Sequence, residues 1–129
     1  MLEDECYANL IMNPEGKHCC GYIYNDNYLC VSDINNNSIR IWDLVNKIIY
    51  KEIKYDGRYG YEIIGWNNKY TIVGCEGGFV IINIEEGKMI KKIKLDNIYV
   101  CGVKKMKLNK YGECLIIADD NYNIKLYSI

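Results

Sequence analysis

Apolar and polar positions alternate along most of this chain in short runs, and the runs are separated by clusters of Asn, Asp and Gly. A period of two is the mark of a strand with one face buried, and such clusters supply turns. Three segments share one order. The first runs Tyr22-Ile-Tyr-Asn-Asp-Asn-Tyr-Leu-Cys-Val-Ser32, then Ser38-Ile-Arg-Ile-Trp-Asp43, then Lys47-Ile-Ile-Tyr-Lys-Glu-Ile53. The second runs Ile64-Gly-Trp-Asn-Asn-Lys-Tyr-Thr-Ile-Val-Gly74, then Phe79-Val-Ile-Ile-Asn-Ile84, then Lys88-Met-Ile-Lys-Lys-Ile93. The third runs Met106-Lys-Leu-Asn-Lys-Tyr-Gly-Glu-Cys-Leu-Ile-Ile-Ala118 and then Asn123-Ile-Lys-Leu-Tyr-Ser128. Each predicts a strand ending in an Asn-rich turn, a mostly apolar strand, a tight turn, an alternating strand and usually a fourth.

Trp42, Ile82 and Tyr127 take equivalent places in these units, a spacing of about 40 to 45 residues that suits four strands with their turns. Strand spacing alone also suits an antiparallel sandwich or barrel. The higher-order period separates the two, because a sandwich does not require it. The apolar runs Leu29 to Val31, Thr71 to Val73 and Leu115 to Ile117 read as strands covered on both faces, as where one sheet stacks on the next.

Ser38-Ile39-Arg40-Ile41-Trp42-Asp43 resembles the third-strand ending of the WD40 repeat, and Gly16-Lys17-His18 stands near that family's Gly-His element. The resemblance implies an all-β fold of about three four-stranded propeller blades over residues 16–54, 55–95 and 96–129, after an N-terminal strand or cap segment over 1–15. It also implies a blade-stiffening hydrogen-bonded set of His, Ser or Thr, a turn Asp, and Trp. His18, Ser32 and Trp42 match three of those places. Asn36 holds the fourth in place of Asp, with Asp33 nearby. The second and third units lack the His and the Trp-Asp pair.

Composition agrees with strands: Ile and Tyr are abundant, while there is one Phe and one Pro. A formal net charge of -1 gives no global attraction for nucleic acid or an anionic membrane. The sequence contains no apolar run long enough for a transmembrane helix, and its acidic start Leu2-Glu3-Asp4-Glu5 is unlike a signal peptide. Seven cysteines without a CxxC pair and a single His provide no zinc-ligand spacing, so no metal or other cofactor is expected. An odd count, mostly in apolar strands, points to structural thiols in a reducing, intracellular compartment, cytoplasmic or nuclear.

In an up-and-down blade the first-to-second and third-to-fourth turns share one rim, and the remaining connections share the other. Docking of a protein partner is expected on the second rim. Its link Tyr55-Asp56-Gly57-Arg58-Tyr59-Gly60-Tyr61 combines interface-prone Tyr and Arg with glycines. Arg58, Tyr59, Tyr61, Tyr99, Glu76 and Tyr122 are the candidate partner-binding residues. Eight of the sixteen Lys and Arg lie between Lys88 and Lys110. These could meet phosphate on nucleic acid or a lipid headgroup, although lysines on an outer strand also guard against edge-to-edge association.

Catalytic constellations are missing from the sequence. A Ser-His-Asp or Cys-His set would have to use His18, and no phosphate-cradling glycine loop follows a strand. The chain therefore reads as a non-catalytic interaction scaffold. Three blades also leave faces unpaired and an outer strand short, whereas propellers have four to eight blades. Cys6 to Met12 could supply a strand if the ring closes through another copy or a partner chain. A structural subunit or propeller fragment whose open blade faces assemble with another copy or another chain, as a homo-oligomer or in a larger complex, is the alternative reading, and phosphate binding is the third.

Overall fold

The computed structural model describes residues 18–34, 36–58, 60, 62–95, 103–119 and 124–128. Eleven strands appear among them, in three antiparallel sheets, and no helix. The first sheet is β1 (His18–Tyr24), β2 (Tyr28–Asp33), β3 (Ser38–Asp43) and β4 (Ile48–Lys54), in that order across it. The second repeats the order with β5 (Glu62–Trp66), β6 (Tyr70–Cys75), β7 (Gly78–Asn83) and β8 (Lys88–Lys94). The third contains β9 (Val103–Leu108), β10 (Cys114–Asp119) and β11 (Ile124–Ser128), three strands among the described residues. These sheets are blade-like, as expected of the fold class, and the first two also share a register: a bulge interrupts β3–β4 at Ile41/Trp42 and β7–β8 at Ile81/Ile82. The N-terminal segment 1–15 lies outside the described residues.

Local chemistry makes the turns. Asn25 and Asp26, and likewise Asn67 and Asn68, take positive φ between 48° and 58°, a region that Asn and Asp tolerate best after glycine. Asp43 of the Trp-Asp pair acts as a turn cap. Its Oδ1 accepts the N–H groups of Val45 and Asn46 at 2.9 and 3.0 Å, and those bonds, with the Asn46 side chain, hold its carboxyl below the usual range. Asn83 does the same one blade later, accepting from the Glu86 N–H at 2.9 Å. The motif is partly a turn device.

Two cores lie between blades. Cys30, Ile39, Ile41 and Ile53 of blade one pack on Ile63, Val73, Val80 and Ile82 of blade two. Ile72, Phe79, Ile81 and Ile93 of blade two pack on Val103, Met106, Leu115 and Ile117 of blade three. Polar ties cross the same interfaces. The hydroxyls of Tyr22 and Thr71 are 2.6 Å apart, and Trp66 Nε1 donates to the Gly112 carbonyl at 3.1 Å. Glycine allows the close approach: a Cβ at Gly74 would lie 2.6 Å from Val103.

The equivalence of Trp42, Ile82 and Tyr127 has a structural meaning. Ile82 and Tyr127 both face the blade before their own. Trp42 faces the same way, packing on Leu29, Val31 and Leu44 on the side of blade one turned from blade two.

Blade three departs from the expectation of strands covered on both faces. Leu115 and Ile117 are fully buried, but Ile116 between them is 44% exposed, and Ile124 and Leu126 are 76% and 71% exposed. Nothing among the described residues stacks on that face, so β10 alternates where β6 is buried from Thr71 to Cys75.

Candidate docking rim

The link after blade one folds over its own first residue. Tyr55 is buried in the first core, so it anchors the link and is not presented to a partner. Gly57 and Gly60 fit the link around it: a Cβ at Gly57 would lie 3.3 Å from the Tyr55 ring and 2.9 Å from Cys75 Sγ. The glycines allow close packing here, a role that the sequence pattern alone assigned to loop freedom.

That wrapping leaves Arg58 exposed and fixes its backbone, because the Glu76 N–H donates to the Arg58 carbonyl at 2.8 Å. Two of the six expected partner-binding residues are thereby brought together. Tyr59, Tyr61, Tyr99 and Tyr122 lie outside the described residues. Beside Glu76 is an open depression of about 380 Å³, lined by Glu76, Gly77, Phe79, Lys92, Lys94 and Leu95. Lys92 Nζ meets Asp56 Oδ2 at 3.2 Å, an exposed pair that contributes little stability. Among the described residues Arg58 and Lys94 make no ion pair. The lining therefore carries one carboxylate, Glu76, and two lysines, of which Lys94 makes no ion pair among the described residues, with Leu95 as its half-buried apolar side chain.

Cys75, also on this wall, has its thiol pushed up to about 11. Burial is the main cause; Asp56 and Glu76 add to it, while Lys92 opposes it. It stays protonated near neutral pH and is a poor nucleophile. Among the described residues no group of three or more His, Cys, Asp and Glu could hold a metal, and no helix is long and apolar enough to cross a membrane.

Of the tetrad-like residues, the structure describes the side chains of Ser32, Asn36 and Trp42. Ser32 and Trp42 fall on opposite faces of the sheet, since Trp42 pairs with Leu29 and side chains alternate. The backbone of His18 pairs opposite Asp33, and Asn36 Nδ2 donates to Asp33 Oδ2 at 2.9 Å. What the sequence reading missed is the cation at the centre of this region. Arg40 bridges Asp33 at 3.2 Å and Glu52 at 2.9 Å, with Asp33 wholly buried.

Of the basic outer strand, Lys88 pairs with Glu86 at 3.5 Å and Lys92 with Asp56, so acids partly compensate it.

No family model matches this sequence, and neither does any curated protein. Solved structures do resemble the fold. A chain of Kuenenia stuttgartiensis hydrazine synthase superposes with a TM-score of 0.75 at 19% identity, over 87% of this chain and 34% of that one. The WD40 β-propeller domain of Doa1 superposes with a TM-score of 0.71 at 12% identity, over 86% of this chain and 36% of that one. One neighbour belongs to an enzyme and the other is a WD40 domain, and at these identities the likeness establishes the propeller-type fold alone. The chain spans about a third of the length of either.

Proposed function

We propose that this chain is a non-catalytic interaction scaffold that takes a protein segment at the rim of blade two, beside Arg58. One observation carries the reading: the exposed Arg58 is pinned by the N–H of Glu76, and Glu76 lines an open depression together with Leu95 and with Lys94, a cation that makes no ion pair among the described residues. Arg beside a concave apolar surface is where interface energy concentrates. The protonated state of Cys75 supports a binding role over a covalent one.

Peptides selected from a random display library on the immobilised chain test this. The double variant Arg58→Ala/Lys94→Ala should weaken a selected peptide by about tenfold or more, the scale of losing one good anchor, with an unchanged circular dichroism spectrum. Undiminished affinity in the double variant would remove the site.

A second reading has its own support in the exposed Ile116, Ile124 and Leu126 and in the three-stranded sheet that ends on β11. Such a face, together with a strand edge that is unpaired among the described residues, suits closure by another chain. In that case light scattering of the purified chain should give a mass above the 15.0 kDa monomer, and Leu126→Lys should return it to monomer. A monodisperse monomer before substitution contradicts this reading.

A further inference from the structure

We infer that the opposite rim carries an independent docking groove, between blades one and two, that takes a proline-rich segment in the polyproline II conformation. The observation is a row of tyrosines leading to a neutral pocket. The ring centroids of Tyr50 and Tyr28 are 5.0 Å apart and those of Tyr28 and Tyr24 are 6.0 Å apart. The row thus runs from the outer strand β4 across β2 to the inner strand β1, and its two steps cover roughly one three-residue turn of polyproline II, about 9 Å. Tyr50 is 53% exposed, and Tyr24 and Tyr28 are half-buried.

At its inner end the row opens into a depression of about 230 Å³, lined by Tyr22, Tyr24, Gly65, Asn67, Asn68 and Tyr70. None of these carries a charge near neutral pH. Burial, aided by neighbouring Glu85, raises the Tyr24 phenol above its ordinary value, so it remains a neutral donor. Gly65 keeps the floor flat, since a Cβ there would come within 2.6 Å of the Tyr22 ring. The left-handed Asn67 and Asn68 stand exposed at the mouth, and among the described residues their carboxamides have no hydrogen-bond partner. Lys51 closes the groove below, its Nζ donating to the carbonyls of Ile84 and Glu85 at 3.0 and 3.3 Å while lying 5.5 Å from the Tyr50 ring centroid.

Each feature answers one property of a proline-rich chain. Its rings are apolar and flat enough to pack on aromatic faces. Its carbonyls lack internal hydrogen bonds and accept from amides and phenols, and its conformation is preformed, so little entropy is lost on docking. The lining itself is uncharged, and its margin holds one cation and one anion, Lys69 at 5.7 Å from the Tyr70 ring centroid and Glu85 near Tyr24.

Titration of the isotope-labelled full chain with acetylated decaproline, followed by amide shifts, tests the assignment. Saturable shifts are expected at Tyr24, Tyr28, Tyr50, Asn67 and Asn68. Tyr50→Ala removes an exposed ring with little consequence for folding and should weaken binding by about fivefold or more, on the scale of one aromatic contact. Asn68→Asp keeps the left-handed turn but removes the amide donor and should also weaken it. Arg58→Ala should leave it unchanged, which separates this groove from the blade-two site. No saturation, or saturation indifferent to both Tyr50→Ala and Asn68→Asp, overturns the proposal. Saturation by maltohexaose but not by decaproline overturns it in favour of a glycan.

Discussion

Replacing Phe79 with alanine should destabilise the protein by about 3–5 kcal/mol, the usual cost of emptying a fully buried phenylalanine site. Phe79 has no solvent exposure, sits in the core shared by blades two and three, and meets Tyr127 edge-on with centroids 5.2 Å apart. Truncation removes apolar burial, leaves a cavity in a sheet stack that relaxes little, and forfeits the edge-to-face contact, itself worth about 1 kcal/mol. A small domain has a total stability of about 5–15 kcal/mol, so the variant should unfold at a much lower urea concentration. Ile116→Ala, on the uncovered face of blade three, serves as the internal contrast and should cost less than about 1 kcal/mol. If the two substitutions shift the urea midpoint equally, blade three does not pack on blade two through Phe79.

That contrast shows where the sequence was informative. The strands, their turns and the sorting of loops to two rims follow from local signals: period-two alternation, Asn and Gly in left-handed turns, and a repeat near 40 residues. Those depend on residues a few positions apart. The equivalence of Trp42 and Ile82 was also readable, because each is fixed by its own strand. The exposure of Ile116 was not, since an apolar run looks the same whether one face or two are covered. Tyr55 belongs to the same class: its burial depends on Gly57 and Gly60 folding back over it, which a Tyr- and Gly-rich loop does not announce. The tyrosine row assembles residues from β1, β2 and β4, and only the register across three strands brings Tyr24, Tyr28 and Tyr50 together. Arg40 was visible only as part of a repeat motif, for the same reason: its partners come from the strands on either side.

Removing the Arg40 side chain alone should cost about 3–5 kcal/mol, while removing the whole charged group should cost far less. Arg40 is 8% exposed and Asp33 not at all, and the pair is 3.2 Å apart. Glu52, about a third exposed, is screened by water and contributes less. Arg40→Ala takes from the wholly buried Asp33 carboxylate the cation 3.2 Å away, and that lost compensation dominates the cost. Even the intact group is imperfect, since Arg40 Nη1 is buried without a hydrogen-bond partner among the described residues. Blade two supplies the alternative. At the corresponding places in β6, β7 and β8 it has Cys75, Val80 and Lys92, and its face toward the preceding blade is apolar there. The triple variant Asp33→Cys/Arg40→Val/Glu52→Lys copies that arrangement, so no charge is left buried without a partner. Its stability should fall within about 1–2 kcal/mol of the parent, on either side, because desolvation of the ions offsets most of their attraction. Urea denaturation of the parent, the single and the triple variant measures both terms. A triple variant as unstable as Arg40→Ala would mean that the ionic group itself, and not the penalty for breaking it, stabilises blade one.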